Sequence, residues 1–138
     1  MTLPADMLQA LRASNAASPF NQWLGVEVIA CADGTAELGI VWKAAAAQHV
    51  GFLHAGVVGA LIDTVCGYAA ATRAGAVLTA HYSVNCLVPA VGGRFRAAGR
   101  VIRAGKRQIF TAAELFAEKD GAERLVATGE ALLMPVAG

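Results

Sequence analysis

The sequence predicts an α+β fold in which an antiparallel sheet wraps around one long central helix. One apolar stretch, from His54 to Arg73, is long enough for a helix that ends near Gly75. Two extended segments precede this helix and four follow it, and short turns rich in glycine or proline separate most of them. Runs of strands around a lone helix are typical of α+β domains with an antiparallel sheet.

Size and composition favour a single domain. The 138 residues are 57% hydrophobic and 15% charged, which is enough apolar material for a sizeable core. The mean hydropathy of +0.53 exceeds what a monomer of this size needs, so we expect another subunit to cover part of the apolar surface. We therefore expect one domain over residues 1–138, with an N-terminal helical extension over about residues 1–22.

The charge and the cysteines narrow the class of protein. A net charge of +1 argues against nucleic acid as the main partner, because phosphate binding needs a basic excess. Cys31, Cys66 and Cys86 lack the spacing of zinc or redox motifs, so we interpret them as small apolar residues in a reducing compartment. The N-terminus lacks a basic region followed by an apolar stretch, and Asp63 interrupts the longest apolar run. These features predict a cytoplasmic protein with no membrane partner and no metal site.

The segment before the central helix divides into two helices and two strands. Apolar residues at helical spacing predict a first helix from Leu3 to Ser14, and Ser18 followed by Pro19 is typical of the start of a second, short one. Alternation then predicts strands over Val26–Cys31 and Ala36–Trp42. The other predicted elements are a turn at Asp33-Gly34, a loop at Lys43–Ala47 and strands over Val77–Val88, Arg94–Arg103, Arg107–Lys119 and Arg124–Met134.

Asp63 is the candidate catalytic residue that the sequence singles out. It lies among apolar or small residues, where an ionised carboxylate is costly to desolvate unless it has a partner or a task. Burial would raise its pKa, which suits a group that accepts a proton. A stripe of small residues surrounds it on the helix, leaving room for a narrow ligand or, on a structural interpretation, for a tight helix contact. The stripe consists of Gly56, Gly59, Ala60, Asp63, Gly67 and Ala70, and the larger residues expected to anchor the helix on the sheet are Val57, Leu61, Val65 and Tyr68.

The run Gln48-His-Val-Gly-Phe-Leu-His-Ala-Gly56, followed by Asp63, carries a family signal. It resembles the signature Asn-x-x-Gly-x-x-His-Gly-Gly, with an acidic residue further along the helix, of hotdog-fold acyl-CoA thioesterases. The closer match is to the phenylacetic-acid-degradation branch, which is related to the 4-hydroxybenzoyl-CoA thioesterases. Gln48 replaces the Asn, and Ala55 replaces the first glycine of the pair. Further similarities lie at Thr79, at Val88-Pro89-Ala90 and at Gly105-Lys106-Arg107, within a resemblance over roughly residues 22–135.

The resemblance implies roles for these residues. Backbone amides of Ala55 and Gly56, at the positive end of the helix dipole, would polarise a thioester carbonyl and hold the oxyanion. Asp63 would act as a general base on water or as a nucleophile that forms a mixed anhydride. Thr79 would hold the carboxylate or the water, and Gln48 would donate to the thioester.

Two residues at the helix start keep open interpretations. The ring of His54 either takes part in the site or fixes the loop while its backbone does the positioning. Ala55 keeps the amide that glycine would offer but narrows the approach for the acyl group.

One helix cannot bring Asp63 and the helix start to the same carbonyl. Asp63 lies nine residues beyond His54, about 13 Å along the helix axis. Two antiparallel helices across a two-fold axis would bring the amides of one subunit opposite Asp63 of the other, and the resemblance implies that arrangement. We therefore expect a homodimer with two identical sites, and a homotetramer built as a dimer of dimers.

Basic residues near the hairpin ends suggest where coenzyme A would bind. Coenzyme A is expected as a part of the substrate and not as a resident cofactor. The candidates for its phosphates are Arg103, Lys106 and Arg107. The alternative is that they are solvated side chains that protect exposed strand edges. Aromatic side chains either line an acyl pocket or fill the core, and we expect His49 and His81 to be incidental. The aromatic candidates are Trp42, Phe52, Tyr68, Tyr82 and Phe110.

The sequence thus predicts an enzyme that hydrolyses acyl-CoA thioesters to a free acid and coenzyme A. The first alternative is a non-catalytic acyl-CoA binding or sensing module, which Asp63 and Thr79 disfavour because a binder needs no base beside the carbonyl. A hotdog dehydratase or hydratase is the second, and the chain has no Asp-x-x-x-x-His run to support it.

Overall fold

Within residues 4–136, which the computed structural model describes, the chain forms three α-helices and six β-strands. The helices are α1 (Pro4–Ala16), α2 (Pro19–Leu24) and α3 (Ala55–Ala74), and the strands are β1 (Glu27–Ala32), β2 (Thr35–Val41), β3 (Val77–Cys86), β4 (Arg94–Ala104), β5 (Ile109–Lys119) and β6 (Ala122–Pro135). All strand pairs are antiparallel, and the order in the sheet is β1-β2-β4-β5-β6-β3. α3 packs against one face of this sheet, which confirms the predicted α+β hotdog architecture.

The strand that follows α3 lies out of sequence order in the sheet, at its edge. β4, β5 and β6 follow one another through short connections, but β3, which comes directly after α3, pairs with β6 at the far side of the sheet. The register sets Thr79 of β3 opposite Leu133 of β6, and Leu133 opposite Ile109 of β5. β3 is therefore an edge strand, and its other side meets no strand in the described part of the chain.

The central helix approaches the sheet closely because glycines lie beneath it. The predicted anchors Val57, Leu61 and Val65 are buried, and each fully buried apolar side chain of this size contributes roughly 1.5–3 kcal/mol. A side chain on Gly99 would lie 2.8 Å from the Val65 carbonyl oxygen, and one on Gly129 would lie 2.6 Å from a side-chain carbon of the helix. Larger residues at these two positions would push α3 away from the sheet.

The apolarity of α3 follows from its place in the core. By length and composition alone, its 20 residues would also pass for a membrane span, with a mean hydropathy of 1.4. Half of that window is buried inside the domain, and burial against the sheet accounts for its composition. Asp63 and the glycines therefore lower the hydropathy of this segment less than the sequence interpretation assumed.

The structure departs from the predicted elements at a few positions. Strands begin and end within two residues of their predicted limits, and the predicted loop after β2 contains a 3₁₀ turn at Ala44–Ala46. A β-bulge between Val28 and Ala30 breaks the expected alternation in β1, so Ala30 is exposed. Gly59 and Ala70, both assigned by spacing to the stripe around Asp63, are buried instead. Leu3, the predicted first residue of the N-terminal helix, lies outside the described residues.

The short helix α2 begins as its sequence predicts. Ser18 is the N-cap and accepts a hydrogen bond from the Asn21 N–H at 3.2 Å, and Pro19 is the first helical residue. Gly25 ends the helix in the left-handed conformation, with a φ of 79°.

Buried polar side chains hold α1 and α2 to α3. Asn15 donates to the Val26 carbonyl at 2.7 Å, and the Tyr68 hydroxyl donates to Asn15 Oδ1 at 3.3 Å. Asn21 Nδ2 donates in turn to the Tyr68 hydroxyl at 3.1 Å. Burial raises the pKa of the Tyr68 phenol, so the hydroxyl stays protonated and keeps both of its bonds at neutral pH. The hydrogen bonds of Tyr68 thus tie α3 to the two N-terminal helices, whereas the sequence analysis expected this residue to anchor α3 on the sheet.

We expect Tyr68→Phe to lower the free energy of unfolding by about 1–3 kcal/mol, because it leaves buried polar atoms of Asn15 and Asn21 without a partner. Urea unfolding followed by tryptophan fluorescence measures this change. Tyr82→Phe is the matched control, since Tyr82 is exposed and makes no hydrogen bond within residues 4–136. We expect this control to change stability by less than about 0.5 kcal/mol. Equal losses in the two variants would contradict a stabilising role for the network.

Candidate active site

His54 shapes the start of α3. It is the N-cap of the helix, with an extended backbone, and its ring nitrogen Nδ1 accepts a hydrogen bond from the Gly56 N–H at 2.8 Å. Its carbonyl oxygen accepts from the N–H groups of Val57 and Val58. These contacts agree with the interpretation in which the ring fixes the loop and the helix start.

Only one of the two expected backbone donors is left for a ligand. The Gly56 N–H is already bound to the His54 ring, whereas the Ala55 N–H has no partner within residues 4–136 and its residue is exposed. The expectation that both amides face a ligand is therefore wrong in this respect. A side chain at position 56 would lie 2.9 Å from His54 Nδ1, so the glycine makes room for the histidine ring.

The loop before the helix orients the amide of Gln48. Its Oε1 accepts from the Val50 N–H at 2.6 Å and from the Phe52 N–H at 3.1 Å. The carbonyl end is thereby used inside the loop, and the Nε2 group, which has no partner in the described part of the chain, remains free to donate. This arrangement suits the donor role expected for Gln48.

Asp63 and Thr79 form a pair between α3 and the edge strand. Thr79 Oγ1 donates to Asp63 Oδ1 at 2.7 Å, which leaves Oδ2 open. Asp63 is partly exposed in the single chain, so the burial expected from its apolar neighbours is not observed. The reason is that both β3 and the adjoining side of α3 lie at the surface of the chain.

These residues form two half-sites that one chain does not join. The donor half-site consists of Gln48 and the Ala55 N–H, and the acid half-site consists of Asp63 and Thr79. Ala55 and Asp63 are eight residues apart on α3, about 12 Å along the helix axis. The two half-sites also line different grooves.

The two grooves include residues that sequence reasoning missed. The groove of the acid half-site has a volume of about 420 Å³, and Leu11, Ser14 and Ser18 of the N-terminal segment form one of its walls. Only the helical spacing of Leu11 signalled that this segment packs on the domain. In the groove of the donor half-site lies Cys86, an exposed cysteine that the sequence analysis treated only as a small apolar residue.

Two of the aromatic candidates lie in the grooves of the half-sites, and two others lie elsewhere. Phe52 lines the groove of the donor half-site, and Tyr68 lines that of the acid half-site. Trp42 packs against the core residue Phe95, with ring centroids 6.4 Å apart. Phe110 is exposed on the sheet face away from α3, because its neighbours along β5 point into the core.

The predicted phosphate-binding residues lie at one hairpin. Arg103, Lys106 and Arg107 are exposed where β4 turns into β5, and none forms an ion pair within residues 4–136. β5 begins opposite Leu133, which itself lies opposite Thr79, so this hairpin is at the same end of the sheet as the acid half-site.

Other titratable groups near the site offer no alternative chemistry. Burial raises the pKa of the Cys66 thiol to about 11, so this cysteine, one turn from Asp63, stays protonated at neutral pH. His49 and His81 are exposed. Among the described residues, no group of three or more His, Cys, Asp and Glu is arranged to hold a metal.

The fold and the two half-sites together match a hotdog domain with an open N–H group at the start of the central helix and a carboxylate further along the same helix. The model of the thioesterase superfamily matches residues 50–123, and the chain belongs to that superfamily. The resemblance predicted from the motif is thereby confirmed. Membership supports thioester hydrolysis as the general activity.

Solved structures agree with this assignment. A thioesterase family protein from Silicibacter pomeroyi is 38% identical, with a TM-score of 0.92 over 96% of this chain and 99% of that one. The E. coli PaaI protein from the phenylacetic acid degradation operon is 20% identical, with a TM-score of 0.90 over 99% and 98% of the two chains. A mutant thioesterase enzyme from Staphylococcus aureus is 19% identical, with a TM-score of 0.79 over 85% and 98%. The last two similarities, at 20% and 19% identity, show the fold alone. A search of curated proteins found no match.

We expect His54→Ala to lower the free energy of unfolding by about 1 kcal/mol, because it removes the N-cap of α3. His54→Asn should retain most of that stability, since asparagine also caps the second amide of a helix. Urea unfolding of both variants, with thioester hydrolysis assayed in parallel, makes the test. A His54→Asn variant that is stable but has lost hydrolysis would show that the ring does more than cap the helix.

Proposed function

We propose that this protein hydrolyses acyl-CoA thioesters, as a cytoplasmic homodimer, in sites formed between two copies of the chain. One copy would supply the acid half-site and the other the donor half-site. The observation that carries the proposal is that a single chain holds both half-sites but keeps them about 12 Å apart on one rigid helix. A second copy, related by a two-fold axis, supplies the missing half of each site.

The edge strand supports this assembly. Most residues of β3 are exposed although the strand belongs to the sheet, and they include Leu78 and Tyr82. An unpaired edge of this length is a template for another strand. Antiparallel pairing of two β3 strands would cover it and would set the two α3 helices antiparallel. The exposed apolar residues on the outer sheet face, such as Phe110, would supply a second contact for a dimer of dimers.

The chemistry follows from the two half-sites. The open Oδ2 of Asp63 accepts a proton from water, whose oxygen attacks the thioester carbon, while Thr79 holds Oδ1 in place. The Ala55 N–H and Gln48 Nε2 of the partner subunit stabilise the oxyanion that forms. Collapse of the tetrahedral intermediate breaks the C–S bond and releases coenzyme A as a thiolate, which takes up a proton. Direct attack by the same Asp63 oxygen, through a mixed anhydride that water then cleaves, fits the geometry as well.

The basic hairpin supports coenzyme A as the leaving group. Arg103, Lys106 and Arg107 offer cationic groups without ion-pair partners in the described chain, at the end of the sheet that carries Asp63. Phosphates bound there leave the pantetheine arm to extend from the hairpin toward the carboxylate. Coenzyme A enters only as part of the substrate, and the reaction needs no resident cofactor.

Two substitutions disable one half-site each. We expect Asp63→Asn to keep the dimer and lower kcat by about 10²- to 10⁴-fold. Ala55→Pro removes the amide hydrogen at the first helical residue, where proline is tolerated and where the extended backbone of His54 accepts it. We expect a loss of about 10²- to 10³-fold in kcat, measured as thiol release from a panel of acyl-CoAs. Ala55→Gly, which keeps the amide, is the control.

A heterodimer of the two variants tests where the site lies. Copies with different affinity tags are co-expressed and the mixed dimer is purified. One of its two sites then combines both defects, while the other has an intact carboxylate and an intact amide, so we expect about half of the wild-type turnover per dimer. An inactive heterodimer would place each site within one chain. Equal, negligible rates in wild type and both variants would leave only acyl-CoA binding.

We expect Lys106→Ala combined with Arg107→Ala to weaken acyl-CoA binding roughly tenfold, seen as a higher KM at unchanged kcat. The variant should also lose part of the dependence of KM on ionic strength, because two phosphate contacts are gone. Lys119→Ala, at the opposite end of β5, is the matched control and should behave like the wild type. Loss of folding in the double variant would instead favour the edge-protecting role of these residues.

A further inference from the structure

Tyr82 occupies a position that neither half-site explains. It lies on β3 with its ring against Gly59 of α3: a side chain on Gly59 would be 3.3 Å from a ring carbon of Tyr82 and 3.5 Å from its hydroxyl oxygen. The ring is nevertheless 47% exposed, and it makes no hydrogen bond within the described residues. A large aromatic side chain thus covers the middle of the helix and presents its other side to whatever covers β3.

The two residues of this contact, Gly59 and Tyr82, each lie at the middle of a segment that a symmetric dimer would pair. Gly59 is halfway between Ala55 and Asp63 along α3, and Tyr82 is one of the two central residues of β3. An axis that places Ala55 of one copy opposite Asp63 of the partner subunit must pass beside residue 59. An axis that pairs β3 with a second β3 over the full length of the strand passes beside residues 81 and 82. The contact between Gly59 and Tyr82 shows that these two requirements meet at one place.

We propose, as an inference that rests on the proposed function, that Tyr82 is a positioning residue at the two-fold axis. Its ring, held against Gly59, fills the space between the central helices of the two copies. The thickness of the rings there sets how far the Ala55 N–H of one copy lies from Asp63 of the partner subunit. Because the axis lies midway between the two sites, a change in this spacing alters both sites equally.

The lack of a side chain at Gly59 contributes to the same positioning, because it leaves room for the ring of Tyr82. An added methyl group at 3.3 Å from the ring is tighter than an ordinary contact, so the ring must shift by a few tenths of an ångström. Interfaces pass such shifts to the groups they position, and misplacement by about 1 Å costs roughly 100-fold in rate. Gly59 therefore acts on turnover through Tyr82 and not by touching the substrate.

A double-mutant cycle in kcat tests the inference. We expect Tyr82→Phe, which keeps the ring, to stay within about twofold of wild type, and Tyr82→Ala to lower kcat by roughly 10- to 100-fold with a smaller change in KM. Gly59→Ala alone should lower kcat several-fold. Added to Tyr82→Ala it should cost nothing further, because the ring it displaces is gone. Sedimentation equilibrium confirms that each variant is measured as a dimer, and Tyr82→Leu replaces Tyr82→Ala if the latter does not fold.

Several results would overturn the inference. Tyr82→Ala with wild-type kcat in a stable dimer would remove the positioning role, and independent, multiplicative losses from Gly59→Ala and Tyr82→Ala would show that the two residues act separately. Monomeric Tyr82→Ala and Tyr82→Leu would assign the ring to assembly alone. None of these results touches the proposed hydrolysis, which is tested separately by the turnover of the wild type and of Asp63→Asn.

Discussion

The fixed distance between Ala55 and Asp63 along α3 is the constraint on which the rest of the structure depends. A helix rises 1.5 Å per residue and does not compress, so a carboxylate eight residues from an amide donor never reaches the carbonyl that this donor polarises. Under the proposed function, such a chain leaves the side of the helix that carries Asp63 open to a second copy. The exposed β3 strand, the partly exposed Asp63 and the apolar excess of the composition fit that proposal.

α3 can keep Ala55 and Asp63 at a fixed separation because neighbouring elements hold the helix on several sides. Gly99 and Gly129 let its backbone and side chains settle directly on the sheet, where any larger residue would intrude. The Thr79 hydroxyl ties Asp63 to β3 near one end of the open side, and His54 closes the first turn at the other. The buried hydrogen bonds of Tyr68 fix the N-terminal helices against the same element. Rigid supports of this kind keep functional groups preorganised.

The sequence predicts the elements well because each has a local cause. The spacing of apolar residues, the Ser18 cap and the turn glycines all act within a few residues of where they are read. The errors arise where a partner outside the local segment decides. The bulge in β1 depends on its register with β2, and the exposure of Asp63 depends on what covers β3. The Gly56 N–H is bound by the His54 ring, whose rotamer the sequence does not specify. Cys86 is exposed because it lies on the edge strand β3, and its residue type does not indicate which strand becomes an edge.

The competition for the Gly56 amide changes what the donor half-site consists of. With the His54 ring bound to that N–H, the proposed oxyanion site holds one backbone donor, at Ala55, and one side-chain donor, at Gln48. A free glutamine is a poor donor for this purpose, because its rotamers must be frozen when charge develops. Here two backbone N–H groups of the loop already bind its Oε1, at 2.6 and 3.1 Å, so the conformation of the side chain is fixed before substrate binds. The longer side chain thereby gains the fixed orientation of a backbone amide, which is the property that electrostatic stabilisation of a transition state requires.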